Sequence, residues 1–190
     1  MSVENTTFDP YAHAWRAYDE GGLDGLRQVE APLFVYEPDP ADVAKLPVDW
    51  NSPNPVLTGH DLRFMILPDA FPVSPNHLNV AGGRPVPYWE ATDAEQHILD
   101  TLLGDTERHL RRVLSPPEGV SVQRFGKVPT LHGHVIPRMN WEDGLDWTGK
   151  REKISVDQRH AVAESLQLSD DQREVLRERA TQALRRFIIA

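Results

Sequence analysis

Residues 130–138 read Thr-Leu-His-Gly-His-Val-Ile-Pro-Arg, and the interpretation of the whole chain depends on this stretch. Successive side chains of a strand point to opposite faces, so Thr130, His132 and His134 share one face of the predicted strand. The proline lacks the N–H group that further pairing needs, so the strand is predicted to end there, with Arg138 at its exit. Two imidazoles near a guanidinium suit phosphoryl chemistry or metal binding, although histidine pairs also occur as simple hydrogen-bonded pairs.

The composition limits which classes of function are open. A hydrophobic fraction of 39 % and a charged fraction of 26 % are typical of a globular protein rather than a disordered one. No run approaches the roughly 18 apolar residues of a membrane span, and the N-terminus has no signal pattern, so we expect a cytoplasmic protein that does not enter membranes. A net charge of −9 argues against general nucleic-acid binding. A local basic site for a small anionic ligand remains open.

The chain contains no cysteine. Disulfides, thiolate nucleophiles and cysteine-ligated zinc are therefore excluded. Histidines and carboxylates must carry any chemistry that the protein performs.

Periodicity predicts an α+β fold, in which an antiparallel sheet is covered on one face by a long helix. The first thirty residues are predicted to form a peripheral helix pair broken at Gly21-Gly22. Capping boxes predict the starts of the long helix and of two C-terminal helices. The predicted strands cover residues 32–36, 62–67, 77–81, 120–125 and 130–137, and the capping boxes cover residues 92–95, 155–158 and 169–172.

The stretch 130–138 resembles the signature His-Leu-His-Trp-His-Val-Ile-Pro-Arg of one branch of the histidine triad (HIT) family. The similarity extends upstream through residues 67–69 and 75–78 and through the capped helix. It implies one HIT-like domain over 1–190, with a core at about 60–140. Residues 1–59 would then be an N-terminal extension and residues 151–190 a C-terminal helical extension.

The resemblance also implies an activity and a set of site residues. HIT proteins hydrolyse or transfer nucleotides through a nucleotidyl-histidine, and here the nucleophile would be His132. A neutral imidazole is nucleophilic when its other nitrogen donates to a fixed acceptor, for which a backbone carbonyl on the same strand suffices. His134 would contact the phosphate, and Arg138, Lys127 and Arg124 would stabilise its charge. The expected ligand is a nucleotide or related phosphate ester, and no metal or other cofactor is required.

Two residues of the stretch depart from the family signature. Thr130 stands at the first histidine position of the catalytic set, and Gly133 stands where the family has a bulky residue. A hydroxyl cannot accept a proton as an imidazole can. The fold is therefore more strongly indicated than standard hydrolase activity.

Two alternatives stay open at the level of sequence. One is a metal-dependent enzyme in which His132 and His134 join a carboxylate from Glu142, Asp143 or Asp146, a ligand set that suits zinc or non-haem iron. The other is a binding module that keeps a nucleotide pocket without turnover.

The family resemblance also implies a homodimer, because many HIT proteins continue their sheet across a two-fold axis. An open sheet has an edge to protect, and either a second copy or the terminal helices could cover it. The sequence leaves both arrangements open.

Overall fold

The computed structural model describes residues 9–47, 56–116, 119–124, 128–138 and 152–188. Lys127 and the three carboxylates between residues 142 and 146 lie outside these ranges. The phosphate-binding role expected for Lys127 and the metal-ligand role considered for the carboxylates therefore stay predictions.

Five strands form one sheet in the order β1-β2-β3-β5-β4, and every neighbouring pair is antiparallel. The α+β class predicted from the sequence is confirmed. The histidine strand β5 lies between β3 and β4, so its backbone is hydrogen-bonded on both sides. The strands are β1 (Phe34–Tyr36), β2 (Phe64–Pro68), β3 (Leu78–Gly82), β4 (Val120–Gln123) and β5 (His132–Pro137).

Five helices and one 3-10 turn at Tyr88–Glu90 accompany the sheet in the described part of the chain. All three predicted capping boxes are present, with both reciprocal hydrogen bonds formed in each. Within the described residues, no helix is long and apolar enough to cross a membrane. The helices are α1 (Pro10–Val29), α2 (Pro40–Val43), α3 (Asp93–Leu114), α4 (Val156–Ser165) and α5 (Asp170–Arg185).

Both faces of the sheet are covered. Helices α3 and α5 share a buried apolar cluster with one face. Helix α1 packs on the other face, where Ala14 and Trp15 are buried against Met65, Leu67 and Ala81. The sequence predicted a peripheral N-terminal segment. In the structure, helix α1 instead forms a third layer on the sheet. The aromatic stripe of Tyr11, Trp15 and Tyr18 marks the apolar face of a helix, but the sequence does not indicate what that face packs against.

Polar contacts fix α1 on the sheet as well as apolar ones. The indole Nε1–H of Trp15 donates to the carbonyl oxygen of Gly82 at 2.6 Å. The Arg63 guanidinium lies 4.2 Å from the centre of the same indole, a cation–π distance. That guanidinium also forms an ion pair with Asp19 of α1. These contacts attach helix α1 to the sheet at two positions within its first three turns, Trp15 and Asp19.

The departure at Gly133 has a packing explanation. A Cβ atom placed on Gly133 would lie 2.7 Å from Cδ1 of Leu103 and 2.8 Å from the carbonyl oxygen of Gln123. Both distances are shorter than a carbon atom tolerates, and the second neighbour is backbone that cannot rotate away. Leu103 of α3 thus fills the space over β5 that a side chain at position 133 would need.

We expect Gly133→Ala to destabilise the protein by about 1–3 kcal/mol, because overpacking moves α3 or β4 away from β5. The matched control is Gly104→Ala in α3, where the nearest atom to an added Cβ is Arg108 Nη1 at 3.6 Å. The control should stabilise the protein by about 0.5–1 kcal/mol, the usual gain of alanine over glycine in a helix. Urea unfolding measures both changes, and equal stability of the two variants would contradict this packing.

Candidate active site

The imidazole of His132 is held in one tautomer. Its Nδ1 lies 2.6 Å from the carbonyl oxygen of Thr130. A carbonyl oxygen can only accept a hydrogen bond, so Nδ1 carries the proton and Nε2 carries the lone pair. Among the described residues, Nε2 has no hydrogen-bond partner. The local arrangement is the one that histidine nucleophilicity requires.

The surroundings of His132 favour its neutral form. The residue is only 5 % exposed, and the Tyr11 ring of α1 lies over it with centroids 4.8 Å apart. Burial lowers the pKa of the His132 imidazole, and the neighbouring His134 lowers it further, against the opposing effect of the Thr130 hydrogen bond. The His132 imidazole is therefore neutral at neutral pH.

Thr130 acts here through its backbone and hydroxyl rather than as a proton acceptor. Its hydroxyl donates to Oδ2 of Asp9 at 2.5 Å, and its amide N–H donates to the same oxygen at 3.1 Å. The other oxygen of Asp9 accepts from the amides of Tyr11 and Ala12 and so caps α1. One carboxylate thus joins the first turn of α1 to the residue whose carbonyl orients His132.

His134 belongs to a separate buried cluster on the same sheet face. Its ring lies 5.0 Å from that of His132, centroid to centroid. Its Nδ1 is 3.1 Å from Nε2 of His77 and 3.4 Å from Oδ2 of Asp69. The Asp69 oxygen is 3.5 Å from the same His77 nitrogen, and it also accepts from Asn79 Nδ2 at 2.8 Å. Asp69, His77 and His134 are the residues in the described chain that could hold a metal ion together.

Asp69 is ionised in this cluster. Burial acts to raise the pKa of the Asp69 carboxyl, but hydrogen bonding from His134 and Asn79 and the proximity of His77 outweigh it. Its pKa therefore lies well below the usual range. The amide N–H of Phe71 donates to the other oxygen, Oδ1, at 2.5 Å. The cluster consequently offers one fixed negative charge and two imidazole nitrogens.

Two of the three predicted basic residues lie in the described part of the chain. Arg124 binds Asp100 of α3 at 2.5 Å, and α3 packs on the opposite face of the sheet from His132. The Nε–H of Arg138 donates to Ser121 Oγ at 2.6 Å, and Ser121 is the register partner of Ile136 in β5. The phosphate-binding roles of both arginines stay predictions.

Sequence reasoning missed several members of the site. None of Asp9, Tyr11, His77 and Asn79 was among the predicted site residues. Asp-Pro before an apolar periodic run is nevertheless a recognisable helix start, so the start of α1 after Asp9 could have been predicted. The convergence of His77 and Asn79 with His134 depends on the register in which Asn79 of β3 faces His134 of β5. No local pattern gives that register.

Comparisons with known proteins give structural neighbours but no family model and no curated relative. One neighbour is a Hit-like protein involved in cell-cycle regulation from Bartonella henselae, with 18 % identity over 54 % of this chain and 77 % of that chain, and a TM-score of 0.46. A Zn-bound histidine triad family protein from Mycobacterium smegmatis is 20 % identical over 60 % of this chain and 78 % of that chain, with a TM-score of 0.43. A hypothetical histidine triad nucleotide-binding protein from Sulfolobus tokodaii is 17 % identical over 65 % and 78 %, with a TM-score of 0.38.

We expect the contact between Asp9 and Thr130 to contribute measurably to stability. Asp9→Asn keeps a capping oxygen for α1 but loses the charge that accepts from Thr130, and Thr130→Val removes the donated hydroxyl proton. Each should cost about 1–3 kcal/mol, as expected for buried hydrogen bonds to a charged group. The double variant should cost less than the sum of the two by about 1 kcal/mol.

The matched control is Asp39→Asn, because Asp39 caps α2 through Ala41 at an exposed position and is not hydrogen-bonded to a strand residue in the described structure. Asparagine caps as well as aspartate, so this change should be within about 0.5 kcal/mol of the parent. Strict additivity of Asp9→Asn and Thr130→Val in urea unfolding would show that the contact carries no energy.

Proposed function

We propose that this protein is a divergent member of the HIT family that binds a nucleotide or related phosphate ester and transfers its nucleotidyl group through His132. The observation that carries the proposal is the hydrogen bond from His132 Nδ1 to the Thr130 carbonyl oxygen. It leaves the Nε2 lone pair as the nucleophile on a buried, neutral imidazole. The resemblance of residues 130–138 to the HIT signature supplies the reaction.

In the proposed reaction, the His132 Nε2 lone pair attacks the α-phosphorus atom. A phosphorus–nitrogen bond forms while the bond from phosphorus to the leaving group breaks, and the leaving group takes that electron pair. Water or another acceptor then attacks the same phosphorus atom and gives its proton to the released leaving group or to solvent, while the phosphorus–nitrogen electron pair returns to Nε2 and regenerates the neutral imidazole. Placing the nucleophile on a rigid internal strand reduces the entropy cost of the attack.

Thr130 would serve this reaction as a positioning residue. Its carbonyl orients His132, and its own position is set by two hydrogen bonds to Asp9. A first-position histidine could also exchange a proton, whereas this hydroxyl donates its proton to a carboxylate. We therefore expect activity to depend on an acceptor or leaving group that needs little proton transfer from position 130.

A second candidate function is nucleotide binding without turnover. It is favoured by the position of α1, which covers the imidazole face and leaves His132 only 5 % exposed. The His134 side chain is 14 % exposed, so a phosphate has more access to the third signature position than to the proposed nucleophile. Under this alternative, a nucleotide raises the unfolding temperature and is recovered unchanged.

We expect incubation with a nucleoside phosphoramidate, followed by rapid acid-free quenching and intact-protein mass spectrometry, to show a nucleotidyl adduct on His132. His132→Ala should remove both the adduct and the release of product. The matched control is His160→Ala in α4, where the imidazole contacts the Arg27 carbonyl oxygen at an exposed position. That variant should form the adduct normally.

The outcomes separate the two candidate functions. Thermal stabilisation by the nucleotide with no adduct and no product would replace the transferase proposal with the binding module. Product formation that persists in His132→Ala would exclude His132 as the nucleophile.

A further inference from the structure

We infer that Asp69, His77 and His134 form a mononuclear zinc site with one open coordination position. The inference does not rest on the proposed nucleotidyl transfer, because His132 is not among the ligands. It also differs from the ligand set considered from the sequence, which combined His132 and His134 with a carboxylate beyond residue 140.

The distances between the three ligand atoms match a tetrahedron. They are 3.1 Å between the two histidine nitrogens, 3.4 Å from Asp69 Oδ2 to His134 and 3.5 Å from Asp69 Oδ2 to His77. Zinc–ligand bonds of about 2.0–2.1 Å in a tetrahedron place ligand atoms about 3.3–3.4 Å apart. An octahedral ion with bonds of about 2.1 Å would place neighbouring ligands at about 3.0 Å. The observed triangle favours the tetrahedral ion.

The chemistry of the donors also suits zinc. Two imidazole nitrogens and one carboxylate oxygen are the ligands of many catalytic zinc sites, in which a water or substrate oxygen takes the fourth position. A hard ion such as Mg²⁺ prefers oxygen ligands throughout.

Neighbouring groups hold the carboxylate in place. Asn79 Nδ2 donates to the ligand oxygen Oδ2 of Asp69, and the Phe71 amide donates to Oδ1. Such supporting contacts fix the orientation of a metal ligand. Asn79 is 1 % exposed, and its own Oδ1 is buried without a hydrogen-bond partner among the described residues. A metal-bound water is a donor of the kind that this buried acceptor lacks.

Zinc would replace the hydrogen bond between His77 Nε2 and His134 Nδ1, and one contact outside the ligand set would also be lost. The Val73 amide nitrogen lies 3.4 Å from Nδ1 of His77, at the long limit of hydrogen bonding. Zinc at Nε2 keeps the imidazole proton on Nδ1, so this amide would have to turn away. The loss is small beside the energy of a zinc–imidazole bond.

A route to the site exists in the structure. Asp69 and His77 line a cavity of about 420 Å³ together with Ile154, Gln158 and Val162. The cavity lies between the segment that links β2 to β3 and helix α4. It brings solvent next to two of the three ligand residues.

The test uses the full chain without a polyhistidine tag, stripped with a chelator and then titrated with Zn²⁺ in a calorimeter. We expect one zinc ion per chain. Asp69→Asn and His77→Gln should each weaken zinc binding about 100-fold or more, while His132→Ala and the surface control His160→Ala keep the parent affinity. Cobalt substitution should give the intense visible absorption of tetrahedral Co²⁺.

Three results would overturn the inference: no zinc binding by the parent protein, equal zinc affinity in the Asp69 and His77 variants, or the weak spectrum of octahedral Co²⁺. Far-UV circular dichroism of each metal-free variant separates lost ligation from lost folding. His132→Ala distinguishes this test from that of the proposed function, because it should abolish the nucleotidyl adduct and leave zinc binding unchanged.

Discussion

The carboxylate of Asp9 is the contact on which the site depends. One of its oxygens caps the N-terminus of α1. The other oxygen accepts hydrogen bonds from the hydroxyl and the amide of Thr130, a residue 121 positions away. The Thr130 carbonyl then fixes the proton of His132. A hydrogen bond to a charged group is worth about 1.5–3 kcal/mol, so Asp9 holds Thr130 firmly in the position from which its carbonyl selects the His132 tautomer. The first turn of α1 is therefore a part of the site and not an appendage to the sheet.

The same helix both builds the site and restricts access to it. Tyr11 covers the His132 ring, Trp15 is hydrogen-bonded to the sheet, and Arg63 links the indole to Asp19. At the other end of α1, Arg159 of α4 binds the Val29 carbonyl oxygen and forms a buried ion pair with Glu30. A ligand that reaches His132 must approach around a helix fastened at both ends. Under the proposed function, this constraint favours a small phosphate ester over a bulky substrate.

Local patterns predicted the parts of this structure that local physics controls. The capping boxes before α3, α4 and α5, the end of β5 at its proline and the shared face of His132 and His134 all follow from a few neighbouring residues. The contacts between distant residues did not follow. Asp9 meets Thr130, and Asp69 meets His134, only because of strand register and the docking of α1. Arg124 shows the converse, since the family resemblance implied a role in phosphate binding, whereas Asp100 of α3 provides an ion-pair partner on the other face.

The proposed reaction requires His132 to be a neutral imidazole with its proton on Nδ1. Long-range proton–nitrogen correlation NMR of the uniformly ¹⁵N-labelled chain, with His132→Asn for assignment, measures this directly. The structure predicts the Nδ1-protonated tautomer and a pKa below the usual value of about 6.5. A His132 signal from the Nε2-protonated tautomer, or from an imidazolium ion that persists above pH 6.5, would contradict the account.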